Sequence, residues 1–217
     1  MKLVWSPETA SKAYIDTVKS CEIFKESGVA EFVSALAAGW NAQLVVETWC
    51  QGGPTATSFG LVVATSHTEG KHICVVPDED SKFAYIDSMR KYGQVVTDDD
   101  IVVGPPEKAM AGLEGIDFLV VDCRRNDFAR MLSVAKLGQR GAVLICKNAS
   151  WRAASDFRWR RVLGGRSRVV RSVFLPVGKG LDIAHVGAGC GSIDSKGPSR
   201  WFKHVDQDSG EEFVIRK

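Results

Sequence analysis

Five short apolar runs alternate with helical segments between residues 44 and 148, and this alternation constrains the fold more than any other feature. The runs begin at Leu44, His72, Ile101, Ile116 and Ala142. Short apolar runs of this kind are typical of strands that are buried on both faces of a sheet. Helices between consecutive strands imply right-handed crossovers. The sequence therefore predicts an α/β, doubly wound fold around a mostly parallel sheet.

Segments on both sides of this alternation complete the predicted fold. Ser6 and Pro7 are suited to begin one helix, and a second helix is predicted from Gly28 to Gly39, so two helices precede the first strand. Residues 168–177 and 181–186 predict an antiparallel pair that closes the sheet.

The chain is expected to form one domain followed by a short tail. We predict a single α/β domain over residues 1–190, which includes the two N-terminal helices. A polar tail is predicted over residues 191–217, where the stretches RWFKHV and EEFVIR favour a terminal hairpin.

The turn after the first strand is the first candidate for a ligand site. Glu47 places a charge at the end of the strand, and Gly52-Gly53-Pro54 supplies a turn, with Pro54 expected at the first position of a helix that continues over residues 55–66. Free N–H groups at the start of such a helix can hold a polar ligand. The alternative is an ordinary turn between strand and helix.

Ligands of doubly wound sheets bind at the carboxyl ends of the strands. In this chain several polar residues and one glycine are predicted at that edge. They are Glu47, the acidic run from Asp78, Gly104, Asp122 and the pair Lys147-Asn148.

Composition indicates an ordinary globular protein, with a net charge of +2 and 45% hydrophobic residues. No apolar segment resembles a signal peptide or a membrane span, so we expect a protein of the cytoplasm or nucleus that is not secreted. The six cysteines are dispersed, which favours reduced, packed thiols. The four histidines share no spacing typical of a zinc site.

The order of these parts resembles the class I AdoMet-dependent methyltransferases, which are Rossmann-like, and within them the catechol and caffeoyl-CoA O-methyltransferase-like branch. The resemblance runs from about Ala30 to Val186. Its motifs are ETWCQGG, VVGPPEKAM, VVDCRRNDF, ICKNASW and FLPVGKGLDIA. The whole chain also resembles a plant family of unknown function that is generally grouped with these enzymes.

The resemblance implies S-adenosyl-L-methionine as a possible cofactor, bound by Glu47, Gly52, Gly53, Gly104 and Asp122. Two departures put this in doubt. Trp49 and Gln51 stand where the family usually has glycines that let the backbone approach the cofactor, and Trp49 points either into the cleft or into the core. The family's ribose-binding carboxylate is also missing after the second strand, where Asp78 or Glu79 would substitute only with a shifted loop.

The catalytic residues of the metal-dependent branch are changed as well. Asp122 and Asn148 correspond to two of its metal ligands, but Lys147 stands where an aspartate is expected, so no metal is predicted. Arg125 corresponds to the branch's general-base lysine, and a guanidinium cannot accept a proton near neutral pH. Lys147, beside Asp122, is the candidate replacement base. The alternative is that Lys147 forms a structural ion pair with Asp122.

Three functions follow as hypotheses. The favoured hypothesis is a degenerate, metal-independent relative of these O-methyltransferases that binds a small molecule or a protein partner. An active AdoMet-dependent small-molecule methyltransferase is the alternative. Nucleic-acid binding is the third, because residues 151–171 hold seven arginines and two tryptophans. The alternative for these arginines is a solvated helix face.

Cysteine chemistry is a further possibility. Cys50, Cys123 and Cys146 all approach the carboxyl edge of the predicted sheet. Because no histidine lies near any of them in the sequence, burial without reactivity is the competing interpretation.

Overall fold

A computed structural model gives the fold of the chain. It describes residues 5–20, 28–152, 157–164, 167–187, 201–205 and 212–216.

Seven strands form one mixed sheet in the order β3-β2-β1-β5-β7-β9-β8. The strands β3, β2, β1, β5 and β7 run parallel to one another, whereas β9 is antiparallel to both β7 and β8. These seven strands are Leu44–Thr48 (β1), Lys71–Val76 (β2), Ile101–Val103 (β3), Phe118–Asp122 (β5), Ala142–Lys147 (β7), Val169–Leu175 (β8) and Leu181–Val186 (β9). The α/β, Rossmann-like fold with an antiparallel closing hairpin is thereby confirmed.

Seven α-helices surround the sheet in the described part of the chain. They are Pro7–Ser20 (α1), Val29–Gly39 (α2), Ala56–Thr68 (α3), Glu79–Arg90 (α4), Pro106–Ala111 (α5), Phe128–Val134 (α6) and Trp159–Leu163 (α7). Short 3-10 turns lie at Asp98–Asp100 and Ala149–Arg152. A small parallel pair joins Glu114–Ile116 (β4) to Lys136–Leu137 (β6), and Trp201–Val205 (β10) pairs antiparallel with Glu212–Arg216 (β11).

The helices cover both faces of the sheet, which makes three layers. On one face, α1, α2 and α3 pack on alternate residues of the central strands, among them Val45, Phe118 and Val143. On the other face, α5, α6 and α7 pack on the intervening residues, such as Val46 and Leu119. Because both faces are covered, β5 and β7 are buried at every position, which explains their continuous apolar runs.

Three predicted elements differ from the structure. The helix α3 begins at Ala56 with Thr55 as its N-cap, so Pro54 lies before the helix instead of in its first turn. The strand expected from Ile116 to Cys123 is two strands, β4 and β5, separated by Asp117. The helix expected from Phe128 to Leu137 ends at Val134, because the next residues form β6.

Asp117 explains the break between β4 and β5. Its buried carboxylate accepts hydrogen bonds from the backbone N–H groups of Gln43 and Leu44 and pairs with Arg140 at 2.6 Å. A polar residue that anchors the entry to β1 therefore stands inside an otherwise apolar run.

The C-terminal predictions fall partly outside the described residues. The helix α7 begins at Trp159, with Arg158 as its N-cap residue, and the expected caps Ser155 and Asp156 lie outside the described residues. The boundary between domain and tail at residue 190 also lies outside them and stays a prediction. In the described chain, no helix is both long and apolar enough to cross a membrane.

Candidate ligand site at the carboxyl edge of the sheet

The Glu47 carboxylate is buried beneath the turn that follows β1. Its side chain is 0% exposed, and its Oε1 accepts a hydrogen bond from the Tyr85 hydroxyl at 3.2 Å and lies 3.2 Å from Nε2 of His72. Burial by itself raises the pKa of Glu47, but His72 and the more distant Lys147 outweigh it and hold the pKa below its usual value. The carboxylate is therefore charged; its Oε1 contacts internal partners, whereas its Oε2 is buried and accepts no hydrogen bond from the described residues.

Trp49 points into the core. It is 3% exposed, and it packs edge-on against Tyr85 at 5.3 Å between ring centroids, in a cluster with residues of β2 and α4. Its indole Nε1 donates to the carbonyl of Gly53 at 3.1 Å, and the N–H of Gly53 donates to the Cys50 carbonyl at 2.9 Å. The indole thus supports the glycine turn from below, and the polar groups of Gly53 are used inside the protein.

Asp122 is held by its neighbours in the turn after β5. Its Oδ2 accepts from Nη2 of Arg124 at 2.7 Å, its Oδ1 accepts from the Arg124 backbone N–H at 2.9 Å, and Nδ2 of Asn148 donates to Oδ1 at 2.9 Å. Burial raises the pKa of Asp122, whereas Arg124, Lys147 and Asn148 lower it, so that the pKa lies below its usual value. The carboxylate accepts hydrogen bonds on both oxygens without a ligand.

Arg125 joins the end of β5 to the turn after β1. Its Nη1 donates to the Trp49 carbonyl at 3.1 Å, while Nε and Nη2 form a bidentate pair with Asp127 at 2.8 and 2.6 Å. The residue is 9% exposed, and Asp127 raises the pKa of its guanidinium. A permanently charged, buried side chain therefore crosses the region to which the resemblance assigns the cofactor.

The other predicted cofactor residues are more distant from this cluster. Asp78 is exposed and caps α4, because its Oδ1 accepts from the Ser81 N–H at 2.8 Å, and this bond lowers the pKa of Asp78. Gly104 is buried after β3, and its N–H donates to the Val76 carbonyl at 2.9 Å. Gly52 is exposed at the tip of the glycine turn. The structure thus brings Glu47, Asp122 and Lys147 together. It leaves Asp78, Gly104 and Gly52 at the periphery of this cluster.

Lys147 lies at the end of β7, opposite Asp122 in the sheet register. It is 3% exposed, and among the described residues its Nζ has neither a hydrogen bond nor an ion pair within 4 Å. The expected ion pair between Lys147 and Asp122 is therefore not formed. Arg124 occupies the position next to the carboxylate, and Lys147 acts on Asp122 and Glu47 only through attraction over a longer distance.

A cavity of about 300 Å³ opens beside Lys147, and we call it the basic pocket. It lies between the start of α2, the glycine turn, the ends of β5 and β7, and the loop that joins β8 to β9. Three of its side chains carry a positive charge, namely Arg124, Lys147 and Lys179. The remaining lining residues are Val29, Pro54, Thr57, Asn148, Val177, Gly178, Gly180 and Leu181.

The residues that correspond to the metal ligands of the branch make other contacts here. Asn148 donates its amide to Asp122, and the ammonium of Lys147 stands in place of a carboxylate ligand. In the described part of the chain, no group of three or more His, Cys, Asp or Glu side chains is arranged to hold a metal ion.

Four cysteines lie within the described residues, and none of the four forms a disulfide bond. Cys74, Cys123 and Cys146 are buried, and Cys50 is partly exposed in the turn after β1. Burial raises the pKa of the Cys74 thiol well above its usual value, which disfavours the reactive thiolate.

The arginine-rich segment forms a separate groove on the outer edge of the sheet. The groove has a volume of about 650 Å³ and lies between α7 and β8. Its polar wall includes Arg158, Arg160, Arg161 and Arg171, and its floor includes Phe174, which is 51% exposed. The Trp159 indole faces inward and donates to Asp182 at 2.8 Å.

Two residues of the site were not predicted from the sequence. Arg124 holds Asp122, and Lys179 contributes to the basic pocket from the loop between β8 and β9. The run Asp-Cys-Arg-Arg indicates that an arginine is within reach of Asp122, but it does not say which one. Nothing in the sequence around Lys179 indicates that its loop folds against the end of β7.

A family model described as "Protein of unknown function (DUF1442)" matches residues 1–217. No curated protein matches the sequence.

Three solved structures with a similar fold are methyltransferases. A methyltransferase from Geobacter sulfurreducens is 21% identical, with a TM-score of 0.56, and the match covers 80% of this chain and 88% of that one. An SAH-bound methyltransferase from Podospora anserina is 15% identical, with a TM-score of 0.56, over 84% and 89% of the two chains. The O-methyltransferase TomG from Streptomyces achromogenes, in complex with SAM, is 18% identical, with a TM-score of 0.51, over 86% and 92%. At these identities the likeness establishes the fold alone.

Proposed function

We propose that this chain, which belongs to the family described as "Protein of unknown function (DUF1442)", is a methyltransferase-like binding protein. It does not catalyse metal-dependent O-methyl transfer. It keeps the carboxyl edge of the sheet as a ligand site and does not use it for catalysis.

The buried bridge from Arg125 to the Trp49 carbonyl is the observation on which the proposal depends. The resemblance assigns the general base to the position of Arg125, and a guanidinium that is already paired with Asp127 does not take up a proton from a substrate. The same side chain ties the turn after β5 to the turn after β1, so that a cofactor between them would have to displace the hydrogen bond from Arg125 to the Trp49 carbonyl.

The state of the other assigned groups supports the same proposal. Glu47 is engaged by Tyr85 and His72, the carbonyl and N–H of Gly53 are bonded within the turn, and Asp122 is held by Arg124. S-adenosyl-L-methionine also carries a positive sulfonium. The cations of the basic pocket would repel it if it lay beside Lys147.

Calorimetric titration with AdoMet and with S-adenosylhomocysteine tests the proposal. Two of the neighbouring structures contain SAM or SAH, which makes these the appropriate first ligands. We expect no heat with either compound at millimolar concentration. A dissociation constant below about 100 μM, roughly 5.5 kcal/mol of binding free energy, would show a working cofactor site and would favour the active methyltransferase instead.

A matched variant sharpens the titration. Arg125→Lys introduces the lysine that the branch has at this position and removes the bidentate pair with Asp127. If the bridge closes the cofactor cleft, this variant gains affinity for S-adenosylhomocysteine, while Arg130→Lys, an exposed change on α6, gains none.

The groove between α7 and β8 is the observation that favours the second candidate, nucleic-acid binding. Exposed arginines beside an exposed aromatic ring can contact phosphates and stack on a base. Fluorescence anisotropy with labelled single-stranded RNA tests this candidate. Binding that weakens steeply with salt and is lost in Arg160→Glu with Arg161→Glu would support it, provided that Lys12→Glu with Lys19→Glu on α1 binds normally. No binding at low salt would exclude it.

A further inference from the structure

We infer that the basic pocket is a binding site for a small organic anion, a carboxylate or a phosphate ester with a short apolar body. The inference rests on the proposed function, because it names the class of ligand that the carboxyl edge of the sheet would hold.

The ammonium of Lys147 is the first reason. Lys147 as a residue is 3% exposed, and in the described part of the chain no acceptor lies within hydrogen-bond or ion-pair distance of its Nζ. A largely buried lysine whose charge is not held by a nearby acceptor favours the binding of a counter-ion. Asp122, the carboxylate opposite Lys147 in the sheet register, is already held by Arg124 and Asn148.

The charge of the walls is the second reason. Three cationic residues line the basic pocket, and none of the lining residues is an aspartate or a glutamate. Asp122 balances Arg124, and Lys147 also attracts the buried Glu47 over a longer distance, so the pocket offers an anion the charge of Lys179 and the unbonded ammonium of Lys147. Thr57 and Asn148 are further polar residues of the lining.

The remaining wall defines the body of the ligand. Val29, Val177 and Leu181 add apolar surface to the lining. A volume of about 300 Å³ is at the lower end of the range for small-molecule sites, so it suits a compact ligand with one charged group.

Glycine is required where the loop between β8 and β9 closes the pocket. Gly180 has a φ of +87°, and a Cβ there would lie 2.7 Å from Oγ of Ser150 and 2.8 Å from Cζ of Phe174. The loop therefore packs tightly against β8 and the 3-10 turn after β7, where the Ser150 N–H donates to the Lys179 carbonyl at 3.1 Å and fixes Lys179 at the rim of the pocket.

Calorimetry with phenyl phosphate, benzoate and benzamide tests the inference. Benzamide is the neutral counterpart of benzoate and differs little in shape. We expect phenyl phosphate or benzoate to bind at least tenfold more tightly than benzamide, and comparison of the two anions tells which charged group the pocket prefers. Equal affinity for benzoate and benzamide, or no binding of either anion, would overturn the inference.

Three variants locate the binding. Lys147→Gln should weaken binding of the preferred anion at least tenfold, and Lys179→Gln, a change in an exposed loop that leaves folding intact, should weaken it about threefold and reduce its salt dependence. Lys91→Gln, on the exposed end of α4, is the control and should bind as the wild type does. Unchanged affinity in both pocket variants would contradict the inference, even if Lys147→Gln alone were unstable.

This experiment separates the inference from the proposed function. If AdoMet binds and phenyl phosphate binds too without displacing it, the proposed loss of the cofactor site is wrong and the anion site stands. If neither AdoMet nor either anion binds, the anion site is wrong and the loss of the cofactor site stands.

Discussion

Glu47 is a charged side chain without contact with solvent, and its neighbours decide what its charge does to stability. The contacts with Tyr85 and His72 and the attraction of Lys147 hold its folded-state pKa below 4.5, the ordinary value of a glutamate. A group with a lowered folded-state pKa stabilises the protein fully above its unfolded pKa, and this contribution is lost as the pH falls through the folded value.

Glu47→Gln should therefore change the response of the protein to acid. At neutral pH we expect the variant to lose about 1–3 kcal/mol of unfolding free energy, because the amide binds His72 and Tyr85 less well than the carboxylate does. Below pH 4.5 the wild type should lose stability more steeply than the variant. Urea unfolding over roughly pH 3 to 6 measures both effects.

Asp87→Asn is the control for this prediction, since Asp87 is 71% exposed on α4. Its curve should run parallel to that of the wild type. Equal acid slopes for the wild type and Glu47→Gln would mean that Glu47 does not contribute to acid sensitivity.

At the scale of elements, Gly60 allows two helices to approach closely. It lies in α3, where a Cβ would come within 2.6 Å of the Ala30 carbonyl oxygen and 3.4 Å of the Ser34 Cβ, both on α2. Backbone atoms on the opposing helix cannot move aside as the end of a flexible side chain can.

Gly60→Ala should destabilise the protein by about 1–3 kcal/mol, because α2 and α3 would have to separate. Gly112→Ala is the matched control, since Gly112 has a φ of −88° and a Cβ there would meet nothing within 4 Å. The control should be neutral or more stable by about 0.4–1 kcal/mol. Chemical denaturation of the two variants checks both values, and equal stability of the two would disprove the close packing.

The elements themselves were largely predictable from the sequence. Apolar runs such as those at Leu44 and Ala142 are long enough to show that a strand is buried on both faces, and the order of the elements then fixes the topology. The break at Asp117 was not predictable, because its partners Gln43 and Arg140 are distant in the sequence. The position of Pro54 was predicted wrongly for a local reason. A proline just before a helix and a proline in its first turn give the same sequence pattern.

The candidate site was less predictable than the fold. The sequence indicates which residues end each strand, and Glu47, Asp122 and Lys147 do lie at neighbouring strand ends. Which of them pair depends on how side chains in tight turns are directed. For this reason the pairing of Asp122 with Arg124, and the bridge from Arg125 to Trp49, became visible only in the structure.

At the scale of the whole molecule, the thiols are buried to very different extents. Cys50 is partly exposed at the carboxyl edge, whereas Cys74 and Cys146 lie in buried strands. We expect iodoacetamide at neutral pH to alkylate Cys50 in the native protein and to reach Cys74 and Cys146 only after denaturation. Peptide mass spectrometry measures the order. Rapid alkylation of Cys74 in native protein would show that the sheet opens on the time scale of the reaction.

The position of β1 in the sheet also affects how the chain is synthesised. One edge of β1 pairs with β2, the next strand of this sheet along the chain, and the other edge pairs with β5. Leu44 and Asp117, which form a hydrogen bond at the start of this second pairing, are 73 positions apart in the sequence. At about 5–20 residues per second, a ribosome needs several seconds to produce that partner after β1 has emerged. During this interval the nascent chain exposes an unpaired, apolar strand edge. We therefore expect chaperones to bind the nascent chain at β1, which lies in the middle of the finished sheet.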